Sequence, residues 1–159
     1  MAKIKGFLGL RAESKADISD DGQVATITFS NLEVKVGDQN PALGAIQVES
    51  FTLQLSENVT EIPVRLIAGG FVFTAPGARA LLVAHMGDET TFTSFPPVSS
   101  NKDFEQDFQQ EIKAIVPAGV DVQTTLFLLA ERYSGDESPS ASFNILSLDL
   151  SLDPGTVEM

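Results

Sequence analysis

The chain contains no cysteine and no tryptophan, and only one histidine and one tyrosine among its 159 residues. Without cysteine there is neither a disulfide framework nor thiolate chemistry. The single histidine, His85, leaves no second imidazole for a zinc site, and any histidine-based acid–base chemistry would rest on that residue alone. Long apolar runs are missing too. No stretch approaches the ~20 residues of a membrane-spanning helix, and the longest nearly apolar piece, Ala80 to Met86, is interrupted by His85. Basic residues are scarce, 10 against 22 acidic ones, for a net charge of −12. The imbalance is uneven. Residues 1–85 carry 7 basic and 9 acidic side chains, whereas residues 86–159 carry 3 and 13. Such a surface keeps a chain soluble and repels phosphate backbones and anionic lipid, so neither nucleic-acid binding nor membrane insertion is expected.

What the chain does have is period two. Leu146, Leu148, Leu150 and Leu152 alternate with Ser147, Asp149 and Ser151. The same spacing recurs in Ala25-Ile27-Phe29, Leu32-Val34-Val36, Phe51-Leu53-Leu55 and Val120-Val122-Thr124-Leu126-Leu128. Successive strand side chains point to opposite faces, so each run buries one face and wets the other. At this length, with 43% hydrophobic residues, one domain over residues 1–159 closes its own core. The expected fold is all-β: an antiparallel, jelly-roll-like sandwich of eight to ten strands with at most one short helix.

Turn signals divide the runs. Lys3 to Arg11 reads as a first strand, Glu13 to Asp21 as a polar connection, and Asp20-Asp21-Gly22 as a turn. Within Gln23 to Val36 the apolar parity changes, which a bulge or kink near Ser30-Asn31 explains. A second parity change, from Ile46 and Val48 to Phe51, Leu53 and Leu55, predicts a bend near Glu49. Gly69-Gly70 separates the strands Ile62–Ala68 and Gly70–Thr74, and Arg79–Met86 is apolar enough to be covered on both faces. In Asp103–Val116, Phe104, Phe108, Ile112 and Ile115 fall at helical spacing behind a capping Asn101, predicting a short helix or irregular crossover. Phe104, Phe108, Ile112, Ala114 and Val116 also share one parity, so a strand stays open. Val120–Tyr133 and Ala141–Leu152 are expected to pair as a hairpin, the latter a long regular strand whose exposed edge could join another copy.

Chemistry-bearing constellations are few. His85, inside an apolar strand, reads as a residue satisfied by one hydrogen bond. Asp17-Ile18-Ser19-Asp20-Asp21-Gly22 opens like a calcium loop, but its twelfth position is Thr28 instead of a bidentate Glu. A less regular Ca²⁺ site would use Asp17, Asp20 and Asp21, against the simpler reading of a solvated turn. Asp88-Glu89 and Asp136-Glu137 are weaker acidic candidates, too common in this chain to infer a glycosidase pair. Tyr133 is the one tyrosine, and the eleven Phe mostly fall at core parity, so a carbohydrate platform of exposed aromatics is not indicated. Nucleophile elbow, phosphate loop and dinucleotide fingerprint are all absent, and Asn58-Val59-Thr60 is a glycosylation sequon.

Several features resemble a family of small, secreted fungal and bacterial β-sandwich domains of unknown function. They are the turn at Gly22 followed by Thr26-Ile27-Thr28-Phe29-Ser30, then Phe51–Leu55, Gly70–Thr74 and Ala80–Met86. Phe95-Pro96-Pro97 and the closing Leu126–Glu131 and Phe143–Asp149 continue the likeness. Members typically carry cysteines and a signal peptide. This sequence has no cysteine, and Met1–Arg11 lacks an apolar run of signal-peptide length. A soluble chain is expected, cytoplasmic by default and secreted if a leader has been removed. The resemblance implies a fold and no activity. The functional expectation is a non-enzymatic binding or structural module acting through its surface or by self-association, with no cofactor. The alternatives are calcium-dependent ligand binding through Asp17–Gly22, carbohydrate being one such ligand, and a carboxylate-based hydrolase.

Overall fold

The computed structural model describes residues 3–11, 13–37, 44–56, 61–95, 102–117, 121–132 and 140–152. Among them lie eleven strands and no helix. The strands are β1 (Ile4–Leu8), β2 (Lys15–Ile18), β3 (Val24–Thr28), β4 (Glu33–Val36), β5 (Gly44–Leu55) and β6 (Glu61–Thr74). They continue with β7 (Ala78–Met86), β8 (Glu89–Phe95), β9 (Phe104–Pro117), β10 (Val122–Arg132) and β11 (Ala141–Leu152). Two antiparallel sheets result. One runs β1-β5-β10-β7-β8, and the other β2-β3-β11-β6-β9 with β4 also paired to β11. The inward residues of both sheets form one core, in which Ile27, Leu53, Leu82, Leu126, Leu128, Phe143 and Leu148 are fully buried. Phe95, Phe108 and Phe143 close it between β8, β9 and β11, with ring centroids 5.1–5.7 Å apart.

The helix expected over Asp103–Val116 is a strand. All fourteen residues of β9 pair with β6, from Phe104 opposite Thr74 to Pro117 opposite Glu61. A partner of equal length rewards period two over period 3.6, since it offers ladder partners along the whole shared edge. Phe108, Ile112, Ala114 and Val116 are buried, while Ile115, which the helical reading placed on the apolar face, is 66% exposed. Charged residues on the outer side of this edge strand (Glu105, Asp107, Glu111 and Lys113) oppose pairing with another chain.

The expected hairpin of the last two strands also gives way. β10 pairs with β5 and β7 in one sheet, whereas β11 lies between β6 and the β3–β4 line in the other. With neighbours on both sides, β11 has no free edge for another copy. Nor is it regular. Its register against β6 shifts between Ile145 and Ser147, leaving Leu146 bulged outward and 54% exposed while Leu148, Leu150 and Leu152 stay buried. The kink expected near Ser30-Asn31 is the matching feature on the neighbouring line: β3 ends at Thr28 opposite Ser147, and β4 begins at Glu33 opposite Asn144. Phe29 N–H donates to Leu146 O at 2.9 Å and Ile145 N–H to Leu32 O at 3.0 Å, so both lines change parity together.

Gly69-Gly70 does not break a strand; β6 runs through it. Gly70 sits where the bulge presses in, and a Cβ there would lie 2.0 Å from Asn144 O. No bend occurs near Glu49 either. β5 pairs with β10 in unbroken register, so Ile46 and Val48 point outward and Glu49 inward. The polar Glu13–Asp21 connection contains β2, all of it exposed and tied to β3. Finally, β7 is covered by the opposite sheet on one face only, its outward residues being half-buried.

Candidate interaction surface

The parities of β5, β10, β7 and β8 place seven apolar side chains on the outer face of the five-stranded sheet. Val48, Phe127, Val83 and Phe92 lie directly opposite one another across the four strands. The next row holds Ile46, Leu129 and Leu81, ending at Ser94. Ile46, Val48 and Phe92 are 59%, 47% and 69% exposed. Lone exposed apolar residues are ordinary; one complete apolar row adjoining a second that is apolar on three of its four strands is not.

Polar rows bound this band on both sides and satisfy one another. On one side Arg79 and Glu131, register partners on β7 and β10, form an ion pair. On the other, Ser50, Thr125, His85 and Thr90 form a row, followed by Thr52 and Gln123. The Gln123 amide donates to Ser50 Oγ at 2.8 Å, Thr52 Oγ1 donates to Gln123 Oε1 at 3.2 Å, and His85 Nδ1 lies 2.8 Å from Thr90 Oγ1. Arg79 and Glu131 are the only Lys, Arg, Asp or Glu among the outward residues of these four strands. The face is neutral on a chain of charge −12.

The acidic candidates lie elsewhere. Asp17 is on the exposed strand β2, and Asp20 and Asp21 are in the turn before β3. The Asp21 carboxylate is engaged by the turn itself: Ser19 Oγ donates to Oδ1 at 2.7 Å and Gln23 N–H donates at 3.1 Å. Those two bonds lower its pKa. Gly22, at φ 73°, supplies the positive dihedral the turn requires. Among the described residues no three His, Asp or Glu side chains converge as metal ligands. Asp88, just before β8, and Glu89, its first residue, are exposed, and Asp136-Glu137, Tyr133, Asn101 and the Asn58 sequon lie outside the described residues.

One ionic group escaped the sequence reading. Glu49 is 2% exposed on the inner side of β5, with Arg11 N–H donating to Oε2 at 3.3 Å and Arg11 Nε 3.6 Å from Oε1. Burial raises its pKa, opposed by the Arg11 backbone bond and charge. The available signal was an acid at the inward parity of β5, masked by Ile46 and Val48 on the other parity. Phe92 and Phe127 were likewise hidden by the expectation that phenylalanines are core. Five of the eleven are buried, Phe7 and Phe104 pack against the core, Phe71 and Phe73 are half-buried at the outward parity of β6, and Phe92 and Phe127 face outward from the five-stranded sheet.

No protein-family model matches the chain, and no curated protein does. Similar solved structures exist. The structure of infectious bursal disease virus Gx strain matches over 85% of this chain and 33% of its own, with 18% identity and a TM-score of 0.41. TmCBM61, solved in complex with β-1,4-galactotriose, matches over 91% of both chains, with 12% identity and a TM-score of 0.36. The C-terminal CBM6 of LamC from Zobellia galactanivorans matches over 95% of this chain and 98% of its own, with 9% identity and a TM-score of 0.31. Scores of this size bear on neither ligand nor activity. No helix of the described residues is long and apolar enough to cross a membrane.

Proposed function

We propose that the chain is a non-enzymatic contact module, binding or structural, that works through the outer face of its five-stranded sheet. One observation carries this reading: the neutral band of Ile46, Val48, Leu81, Val83, Phe92, Phe127 and Leu129, rimmed by polar rows whose hydrogen bonds are already made. Leaving such a band in water is unfavourable by about 25 cal/mol per Å², and a polar-rimmed apolar centre is the composition of a contact surface.

A photo-crosslinking residue at Phe92 tests the reading, with Glu105 on the opposite sheet as control, in cells producing the full chain. Adducts to a protein are expected from Phe92 alone, and Val48→Glu in the same chain should abolish them. Equal labelling from both positions, or none from Phe92, refutes the assignment.

A further inference from the structure

We infer that the occupant of this face is a second copy of the same chain, stacked sheet on sheet about a two-fold axis running along the strands between β10 and β7. The inference rests on the contact-surface reading above and specifies its partner.

Charge selects the partner. A chain of net charge −12 repels its own copy through most of its surface, and this sheet face, where Arg79 and Glu131 cancel, is where a copy approaches without like charges meeting directly. A basic partner would find no carboxylate here except Glu131, which Arg79 already neutralises.

Charge and shape also select the axis. A two-fold along the strands keeps each row over itself and exchanges β10 with β7 and β5 with β8. Arg79 then faces the partner's Glu131, and Glu131 the partner's Arg79, so the intrachain ion pair becomes a four-charge cluster of alternating sign. In the same arrangement Phe92, the most exposed of the seven, meets the shorter side chain of the partner's Val48 in its own row. A two-fold across the strands would instead set Arg79 over the partner's His85 row and Phe92 against the partner's β8, without charge exchange.

The size is adequate. Four strands spaced by about 4.8 Å and nine residues rising about 3.4 Å each give a flat area of roughly 500 Å². Corrugated side chains make the accessible surface larger, near the ~800 Å² per partner of a specific interface. Stacked sheets sit about 10 Å apart with side chains interdigitated, which two apolar rows can fill. The contact is isologous and closes at two copies.

Sedimentation equilibrium of the full chain tests this. The wild type is expected to reach twice its 17.0 kDa mass at high micromolar concentration. Val48→Glu should return it to monomer while keeping the folded far-ultraviolet circular dichroism spectrum of the wild type. Arg79→Glu and Glu131→Arg should each weaken dimerisation about tenfold. Mixing the two single variants should restore it, because each altered residue then faces its complement on the partner. Failure of the mixture to recover would overturn this axis, and a dimer indifferent to Val48→Glu would overturn this face. A wild-type monomer whose Phe92 still crosslinks to a different protein would overturn the second copy while leaving the contact module standing. A monomer without adducts would overturn both.

Discussion

Replacing Gly70 by alanine should be among the most damaging single-methyl changes in this protein, and replacing Gly69 should not. At Gly70 the new Cβ would lie 2.0 Å from Asn144 O, 2.9 Å from Asn144 C and 3.0 Å from Ile145 Cα, all of them backbone atoms. Reaching an ordinary carbon–oxygen separation of about 3.3 Å requires a shift exceeding about 1 Å. The bulge cannot yield alone. It is held by Phe29 N–H to Leu146 O at 2.9 Å, Ile145 N–H to Leu32 O at 3.0 Å and Phe71 N–H to Asn144 Oδ1 at 2.9 Å. Moving it disturbs β3, β4 and β6 together. Overpacking of this kind costs about 3 kcal/mol or more, a Tm loss of about 6–12 °C for a domain of this size. At Gly69 the nearest atoms to a new Cβ are Ser147 Oγ at 3.7 Å and Phe108 O at 3.8 Å, which is normal contact. Gly69→Ala should be neutral or stabilising by up to about 1 kcal/mol, through the reduced freedom of the unfolded chain. Thermal denaturation by circular dichroism of the two variants decides the matter. A Gly70→Ala protein melting within about 2 °C of wild type, or two variants with equal losses, would refute the bulge as described.

Three further outcomes follow from the same structure. Leu148→Ala should cost about 2–5 kcal/mol in urea unfolding and Leu146→Ala less than about 0.5, because the first side chain is fully buried and the second is the bulged one; equal costs would mean that all four leucines share a face. Glu49 has a raised pKa, so the native state holds its proton more tightly than the unfolded state. Its contribution to stability therefore falls as pH rises from the ordinary glutamate range through the raised native value. Glu49→Gln should flatten that part of the Tm–pH profile, and parallel profiles would contradict the burial cause. Asp21 has the opposite sign: with its pKa lowered by Ser19 and Gln23, it stabilises above the unfolded aspartate pKa, and that contribution is lost as pH falls through the native one. Asp21→Ala should lose this acid-side dependence while Asp21→Asn keeps the turn's acceptor, as amide exchange at Gln23 would report.

The alternating residues determined by themselves that this chain is predominantly β and that its core is two-layered, because the strand period is a local property of the backbone. Even the kink near Ser30-Asn31 was written in the parity of Phe29 and Leu32. Residues with two readings needed their neighbours. Phe104, Phe108 and Ile112 suit a helix or a strand until β6 supplies fourteen backbone partners. Leu146 matches Leu148 in type and parity, and only the approach of Gly70 decides that it is turned out. Ile46 and Val48 resemble an inward pair, but their continuous register with β10 puts Glu49 inside and them outside. The outer face was the least legible part. Its seven residues come from four strands that are not all consecutive in the chain, and nothing local marks an apolar side chain as facing water. The period is local, and the assembly of Val48, Phe127, Val83 and Phe92 into one row is set by strand order, which only long-range pairing determines.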